Sequence, residues 1–268
     1  MSQVALSLRV GRWMNSDYKV LTCLSHGRAL DVYDVWSKER DCRCIAKVLR
    51  ADRANDTRAQ RALLREGLLL RELSHPHIVR LYEILWQPSP VLILETLTGA
   101  TLSHIIKNNS RLRLTDLVPL GIHLCSAMHY LHHRAGFLHL DLKPSNIVCE
   151  RGQAKVIDFS LAQRPGPGHK GAGTRQYLAP EQARGDFVTP ATDVWGIGVV
   201  LFEAATAHKP FQTDKNGDYE QLTRRAESVQ HYCRLPVQLA KAIDSCLEPE
   251  PTHRPCVEEL AKILNRWT

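Results

Sequence analysis

The alternation of hydrophobic and polar positions divides the chain into a strand-rich first part and a helix-rich second part. Up to residue 95, short apolar runs of alternating pattern lie between turn-forming residues. They predict five strands, at 18–24, 29–36, 44–49, 81–85 and 91–95. A run with a helical period, 58–73, follows Asn55-Asp56, a pair suited to capping a helix N-terminus. The first part is therefore expected to be a small lobe of five strands and one helix.

Beyond residue 100 the apolar positions follow a helical period. A short helix is expected from Leu102, and a long one from Leu114 to His133 that ends at Ala135-Gly136. An apolar helix starting at Asp193 is expected to form the buried centre of this part. Helical periodicity continues over 236–247 and 256–267, and no repeat or low-complexity linker separates the segments.

Composition narrows the possible classes of protein. A chain of 268 residues with 44% hydrophobic residues can bury a sizeable core. The net charge of +7 is dispersed, and the densest basic cluster, at 58, 61, 65 and 71, fits a solvated helix face better than a nucleic-acid surface. No apolar run is long enough to span a bilayer. We expect a cytoplasmic protein that does not bind nucleic acid, and nothing in the sequence indicates an oligomeric state.

The cysteines and histidines give no sign of a metal site or a disulfide framework. The eight cysteines are scattered, and no Cys-x-x-Cys pair accompanies Cys42 and Cys44. We find no pair of histidines at helical spacing that is backed by a glutamate, and the adjacent His132 and His133 suggest a helix end. Reduced thiols and the absence of a zinc site are therefore expected.

Candidate chemistry is concentrated in three segments. His139-Leu-Asp-Leu-Lys-Pro-Ser-Asn146 follows the long helix and carries an Asp, a Lys and an Asn. In phosphoryl transfer an Asp can accept a hydroxyl proton, a Lys can neutralise a phosphate and an Asn can hold a metal ion. Twelve residues on, Val156-Ile-Asp158 places a second acidic residue after an apolar strand, and Ala179-Pro-Glu181 comes later.

These three segments, in this order, resemble the catalytic loop, the metal-binding turn and the end of the activation segment of a eukaryotic-like serine/threonine protein kinase. The amino-acid sequence of the first segment is more similar to bacterial members of this family than to animal ones. The resemblance implies an α+β, bilobal fold, with a small antiparallel β-sheet lobe containing one helix and a larger, mainly helical lobe. The implied divisions are a lead-in at 1–17, an N-lobe at 18–95, a hinge at 96–99 and a C-lobe at 100–268.

The same resemblance implies ATP and Mg²⁺ as cofactors and a protein as substrate. Lys47 would orient the α- and β-phosphates and would be held by Glu66, with Glu72 as the alternative partner. The catalytic residues would be Asp141, which receives or orients the substrate hydroxyl, Lys143, which neutralises the γ-phosphate, and Asn146. Asn146 and Asp158 would bind Mg²⁺. Further contacts with the nucleotide are expected from Gly27, Val32, Ile45, Glu95, Leu97 and Val148.

Two other matches concern the activation segment. Thr174 occupies the position at which serine/threonine kinases carry a threonine that would hydrogen-bond Asp141 and Lys143. Arg254 matches the arginine that pairs with Glu181 in this family. That second pair would be structural, because it anchors the end of the segment.

Departures from the family pattern leave an alternative open. Ser25 and Leu30 stand where two glycines of the phosphate-covering loop are expected, so a pseudokinase that acts as a binding or scaffold module is the main rival. A small-molecule kinase of related fold is disfavoured by Ala179-Pro180-Glu181 together with Arg254. Leu140 replaces the arginine that ordinarily meets an activation-segment phosphate, and residues 161–173 contain no Ser, Thr or Tyr. Control by phosphorylation of that segment is therefore not expected.

Overall fold

A computed structural model describes residues 8–87, 89–109, 111–212 and 219–268, which form two compact units. The first unit comprises the described residues up to Ser74 together with Val79–Thr98, and the second comprises His75–Ile78 and the described residues from Gly99 onward. The first contains a five-stranded antiparallel sheet and one long helix, and the second is mainly helical. The α+β class and the bilobal division predicted from the sequence are confirmed.

All five strands predicted for the first unit are present. Their bounds are β1 Tyr18–His26, β2 Leu30–Ser37, β3 Cys42–Leu49, β4 Leu81–Leu85 and β5 Val91–Glu95. They pair in the order β1-β2-β3-β5-β4, and every neighbouring pair is antiparallel. The 3₁₀ turn Ala51–Arg53 and the helix α1, Thr57–Glu72, follow β3.

Strand β3 separates its side chains between the two faces of the sheet. Cys44, Ala46 and Val48 are buried on one face, in a core cluster with Tyr18, Val20, Tyr33, Val35, Val91 and Ile93. Because successive strand residues point to opposite faces, Ile45 and Lys47 lie on the other face. The pairing of β3 with β5 sets Leu92 opposite Lys47, so that second face carries one lysine among apolar side chains.

Helix α1 packs against this second face. Its first turn is capped as predicted, since the Asp56 carboxylate accepts hydrogen bonds from the backbone N–H groups of Arg58 (3.0 Å) and Ala59 (3.1 Å). At Gly67 the helix approaches the sheet so closely that an added Cβ would lie 2.4 Å from Cδ2 of Leu92 and 3.0 Å from Cδ1 of Ile84. The absence of a side chain at this position therefore sets how near α1 comes to β4 and β5.

The second unit begins with a small sheet followed by helices. Its sheet contains β6 Ala100–Thr101, β7 Ile147–Glu150 and β8 Gln153–Val156, and Ile78 joins it by pairing in parallel with Val156. The two-stranded pair β9 Gly166–Pro167 and β10 Phe187–Val188 lies further along the chain. The helices are α2 Leu102–Asn109, α3 Leu114–Tyr130, α4 Pro180–Arg184, α5 Pro190–Thr206, α6 Val237–Cys246 and α7 Val257–Leu264. Short 3₁₀ turns occupy 144–146, 175–177, 220–222, 229–231, 251–253 and 265–267.

Helix α5 is the buried centre of the second unit, as the sequence indicated. Every residue from Thr192 to Thr206 is buried, and the Trp195 ring stacks on Phe211 with 5.3 Å between centroids. The helix begins at Pro190 rather than at Asp193, because the Thr192 hydroxyl caps it by accepting a hydrogen bond from the backbone N–H of Thr189. Among the helices of the described residues, none combines the length and the apolarity needed to cross a lipid bilayer.

Helix α3 ends differently from the simple α-helix expected to His133. Regular α-helix stops at Tyr130, and a single π-helical turn, Leu131–Ala135, continues it. Gly136 then terminates the turn in the left-handed conformation, with φ of 72°. The extra residue in a π-helical turn changes which side chains face inward, and this determines the position of His132.

The ion pair between Glu181 and Arg254 joins α4 to the segment that precedes α7. Arg254 donates to both carboxylate oxygens of Glu181, at 2.7 and 2.9 Å, and both side chains are buried. Its remaining N–H groups donate to the backbone oxygens of Ala191, Pro249 and Glu248. All five guanidinium donors are thus used, and the predicted pairing of Glu181 with Arg254 is confirmed.

Replacing Arg254 by methionine should strongly destabilise the second unit. The substitution leaves the buried Glu181 carboxylate without its counter-charge, which typically costs about 3–5 kcal/mol of unfolding free energy. Urea unfolding followed by circular dichroism measures the loss. Arg225→Met is the control, because the Arg225–Glu248 pair (3.1 Å) is solvent-exposed and should contribute less than about 1 kcal/mol. Equal destabilisation by the two substitutions would contradict the structural role of Arg254.

Candidate active site

The first unit supplies a buried lysine–glutamate pair. The Lys47 ammonium lies 2.8 Å from both carboxylate oxygens of Glu66. Lys47 reaches Glu66 because β3 presents it on the sheet face that α1 covers, and Glu66 precedes the close contact at Gly67. Glu72, the alternative partner, is exposed and lies 3.5 Å from Arg71. Glu66, and not Glu72, is therefore the residue that pairs with Lys47.

Two apolar residues share the sheet face of Lys47. Val32 is directly opposite Lys47 in the pairing of β2 with β3, and Ile45 precedes Lys47 by two residues. Directly opposite residues of an antiparallel pair point to the same face, as do residues two apart on one strand. Both side chains are half-buried. The three residues expected to contact one nucleotide thus lie side by side on one surface of the first unit.

The turn between β1 and β2 gives Gly27 a local structural role. Its backbone N–H donates to the Leu30 oxygen at 2.8 Å, and a Cβ at Gly27 would lie 2.7 Å from that same oxygen. The turn itself therefore requires a glycine, whatever binds nearby. Ser25 and Leu30 both lie within strands, paired with Val32 and Leu49 respectively.

Glu95 and Leu97 lie at and just beyond the end of β5. The Glu95 backbone N–H donates to the Arg80 oxygen (3.0 Å), and the Glu95 carboxylate accepts from the Arg80 N–H (2.8 Å). These bonds fix the main chain where it leaves the sheet. Leu97 is half-buried.

In the second unit Asp141 is the centre of a hydrogen-bonded cluster. The Lys143 ammonium donates to Asp141 Oδ2 at 2.6 Å and to the Thr174 hydroxyl at 2.8 Å. Thr174 in turn donates to Asp141 Oδ1 from its hydroxyl (3.1 Å) and its backbone N–H (3.2 Å). The Asn146 amide donates to Asp141 Oδ2 at 3.2 Å and to the Asp141 backbone oxygen at 3.0 Å. The expected contacts of Thr174 with Asp141 and Lys143 are confirmed.

The donors around Asp141 fix the orientation of its carboxylate. Three residues supply four donors to its carboxylate, and these hydrogen bonds hold the carboxylate in one orientation. A carboxylate held in this way can accept a proton from a hydroxyl placed beside it. The adjacent Lys143 ammonium can neutralise a negatively charged group at the same place.

Asn146 and Asp158 lie together at one end of the β7–β8 hairpin. The pairing of Ile147 with Val156 continues beyond the strands, where the Ile157 N–H donates to the Asn146 backbone oxygen at 2.8 Å. Because the amide nitrogen of Asn146 faces Asp141, its amide oxygen lies on the other side of the group. Carboxylate and amide oxygens are the donors that Mg²⁺ prefers, so these residues fit that ion. Val148 follows on β7 and is buried.

The backbone of the loop 139–146 is held by Asp193, which the sequence indicates only as the start of a helix. Its two carboxylate oxygens accept the backbone N–H groups of His139 and Leu140, each at 2.8 Å, and His132 Nε2 lies 2.8 Å from Oδ2. Burial alone raises the pKa of Asp193, but the interactions with His132 and with His139 outweigh it, and the pKa is lowered. Asp193 is therefore a buried, ionised residue that holds the backbone of His139 and Leu140 by hydrogen bonds.

His139 and Leu140 show how closely the loop is constrained. Burial lowers the pKa of His139, so its ring is neutral, and Nδ1 accepts the Asp141 N–H at 3.2 Å. The ring contacts Phe159 edge-on, with 4.9 Å between centroids. Leu140 adopts φ of 65°, an unfavourable value for a branched residue, and it is held there by Asp193 on its N–H and by Gln182 on its oxygen (2.9 Å).

Gln182 is a second contributor that the sequence did not reveal. Besides its bond to the Leu140 oxygen, its amide oxygen accepts the Ala179 N–H at 3.1 Å and its backbone oxygen accepts the Gly171 N–H at 3.0 Å. One side chain thus joins the catalytic loop to α4. Its position immediately after Ala179-Pro-Glu181 was the available signal, but that position does not indicate which loop an amide contacts.

The chain is similar in sequence to proteins of a known family. The profile of the family described as "Protein kinase domain" matches residues 18–264. A probable serine/threonine-protein kinase of Streptomyces coelicolor is 32% identical over 216 residues, which cover 76% of this chain and 32% of that protein. A probable serine/threonine-protein kinase of Clostridium perfringens is 28% identical over 260 residues, covering 91% of this chain and 37% of that protein. Myosin light chain kinase family member 4 of Mus musculus is 31% identical over 207 residues, covering 75% and 52%. The chain spans about a third to a half of the length of these relatives.

Asp193→Asn should loosen the backbone of the catalytic loop. An amide keeps the size of the side chain but is uncharged and has only one oxygen, so one of the N–H groups of His139 and Leu140 loses its acceptor and the other keeps only a neutral one. A hydrogen bond to a charged group contributes about 1.5–3 kcal/mol, so protection of these amides from hydrogen exchange should fall at least about tenfold. Asp116→Asn, on the exposed face of α3, is the control. Unchanged protection at both amides in Asp193→Asn would show that Asp193 does not hold this backbone.

Proposed function

Since the chain belongs to the protein kinase domain family and has serine/threonine-protein kinases among its relatives, we propose that it transfers the γ-phosphate of ATP to serine or threonine hydroxyls of proteins. The observation that carries this proposal is the cluster of Asp141, Lys143 and Thr174. It joins a proton acceptor, a cation and the threonine typical of the serine/threonine group within hydrogen-bonding distance of one another.

Each polar residue has a defined part in the proposed reaction. The Lys47 ammonium, held by Glu66, orients the α- and β-phosphates. Asp141 accepts or orients the proton of the substrate hydroxyl, and Lys143 offsets the charge of the phosphoryl group during transfer. Mg²⁺, when bound by Asn146 and Asp158, would neutralise charge on the phosphate oxygens.

Further contacts with the nucleotide are proposed for six residues. Val32 and Ile45, beside Lys47, and Val148 on β7 would supply apolar contacts with adenine. The main chain at Glu95 and Leu97 would supply polar contacts with the base, and its position is supported by the two bonds between Glu95 and Arg80. Gly27 would lie at the phosphates.

We also propose that the enzyme is active without phosphorylation of its activation segment. The segment is already held by other bonds: Gln163 and Leu138 exchange backbone hydrogen bonds of 3.1 and 2.7 Å, and β9 pairs with β10. Leu140 carries no charge that could bind a phosphate, and its backbone is fixed by Asp193 and Gln182. The ordering that a phosphate provides elsewhere is thus supplied by Asp193, by Gln182 and by backbone pairing.

A pseudokinase is the alternative that one observation favours. Ser25 and Leu30, on the strands at either side of the turn, stand where the family pattern has glycines, and the turn itself needs Gly27 for its own geometry. A binding module would tolerate these replacements. The complete set formed by Lys47, Glu66 and the Asp141 cluster favours the enzyme. The buried Glu181–Arg254 pair also opposes a small-molecule kinase.

A cytoplasmic location fits the state of the thiols. All eight cysteines are free, and four of them are buried. Reduced thiols are the ordinary state in a reducing compartment. We therefore propose that this part of the protein works in the cytoplasm.

The decisive experiment compares the wild-type chain with Asp141→Asn. We measure transfer of radiolabelled phosphate from ATP, in the presence of magnesium, to a generic basic protein. The rate for Asp141→Asn should be at least about 100-fold lower than that of the wild-type chain, because the variant has no proton acceptor at the reacting hydroxyl. Asp116→Asn should retain full activity. Labelled product should contain phosphoserine or phosphothreonine. Nucleotide binding without transfer by the wild-type chain would reject the enzyme in favour of the pseudokinase.

Removal of phosphate from the purified chain tests the second proposal. Phosphatase-treated protein, freed of the phosphatase, should start transfer at the same rate as mock-treated protein. Thr174 and Tyr177 are the nearest hydroxyls after the segment 161–173, and the Tyr177 hydroxyl donates to Glu203 at 2.8 Å, where a phosphate would meet a carboxyl group. A lag that disappears as Thr174 or Tyr177 becomes phosphorylated would contradict activity without phosphorylation.

A further inference from the structure

Three side chains with metal-binding atoms meet on the surface of the second unit, away from the Asp141 cluster. His129 Nδ1 and His133 Nε2 each lie 2.8 Å from the same oxygen, Oε1 of Glu258. The ligand atoms of all three lie within 4.8 Å of one another. This grouping overturns the expectation that no histidine pair is backed by a glutamate. Glu258 is remote in the sequence and is brought to the pair by packing.

The helices that carry these residues fix the grouping. His129 lies in the last turn of α3 and His133 in the π-helical turn that follows, so the two rings stand together with 4.6 Å between centroids. Glu258 lies in the first turn of α7, which packs against α3. The intervening His132 points inward to Asp193, which locks the rotation of the turn and keeps His133 outward.

We propose that His129, His133 and Glu258 form a site for a transition-metal ion of the Zn²⁺ type. Two imidazoles and one carboxylate are a three-ligand set of the kind that binds zinc, and they leave a fourth position for water. Two nitrogen donors favour such an ion over Mg²⁺ and Ca²⁺, which prefer oxygen ligands. Within the described ranges no other set of three histidine, cysteine or acidic ligands approaches this closely.

The two distances from the histidine nitrogens to the Glu258 oxygen agree with metal binding after a small adjustment. Zinc bonds of about 2.0–2.1 Å in a tetrahedral shell place neighbouring ligand atoms about 3.3 Å apart. Each histidine nitrogen therefore needs to separate from the Glu258 oxygen by only about half an ångström, which side-chain rotation supplies. The side chains of His129, His133 and Glu258 are 53%, 56% and 35% exposed, so an ion can enter without opening the fold.

The start of α7 is held by its own cap. Cys256 is the N-cap residue, and its backbone N–H donates to Oε2 of Glu259 at 2.9 Å, so the first turn that carries Glu258 is fixed. A bound ion would link the end of α3 to the start of α7, so it should stabilise the second unit against unfolding.

The test measures Zn²⁺ binding to the full 268-residue chain by calorimetry after removal of metals with a chelator. The wild-type chain should bind one equivalent that is lost, or weakened at least about tenfold, in His129→Ala, His133→Ala and Glu258→Gln. Co²⁺ should give the visible absorption of a tetrahedral site in the wild-type chain and not in these variants.

The matched control is His104→Ala. His104 is also exposed on a helix and contacts the residue four positions on, Asn108, at 2.7 Å, but it belongs to no ligand set. It should keep the equivalent of zinc and the rise in melting temperature that zinc produces. Equal zinc binding by the wild-type chain and all three site variants, or no binding by the wild-type chain, would overturn the proposal. Neither result depends on phosphate transfer, so the two proposals fail separately.

Discussion

The hydrogen bonds accepted by the Asp193 carboxylate are the interactions on which the loop structure of the second unit depends. It is buried, and a buried charge is unfavourable unless donors surround it. Three donors do so, and two of them are the backbone N–H groups of His139 and Leu140, the residues immediately before Asp141. One carboxylate on the central helix α5 therefore sets the path of the loop 139–146, and the strained conformation of Leu140 persists because both its N–H and its oxygen are hydrogen-bonded.

In the first unit the Lys47–Glu66 pair is positioned by other features of the structure. There the alternation of side chains along β3 divides the sheet into a core face and a face that carries Lys47. Gly67 then allows α1 to approach that second face, and the neighbouring Glu66 meets the lysine. Sheet periodicity and the absence of one side chain position this pair, whereas hydrogen bonds to buried side chains position the Asp141 cluster.

Much of this could be predicted from the sequence where the information is local. The five strands, the Asp56 cap and the pairing of Glu66 with Lys47 follow from alternation, capping chemistry and spacing within a known pattern. The predicted start of α5, Asp193, is three residues later than the observed start, Pro190. The difference arises because Thr189 and Pro190 precede the apolar run, and the capping of the helix depends on side-chain hydrogen bonds that no hydrophobic pattern shows.

Contacts between distant parts of the chain were not accessible in the same way. Gln182 bonds a residue 42 positions away, and Glu258 lies 129 residues from His129. No period or spacing connects such residues. They meet because α3 packs against α7 and because α4 lies beside the loop 139–146, and packing of that kind is decided by the whole core.

The π-helical turn Leu131–Ala135 has a consequence for how the length of this chain can vary between relatives. Each residue in a helix advances the direction of the next by about 100°, so deleting one residue from the turn would rotate all that follows. His132 would leave Asp193, and His133 would turn from the surface toward the interior. A relative that lacks one residue of this turn would therefore need another way to support the loop 139–146. A deletion in an exposed loop would have no such consequence.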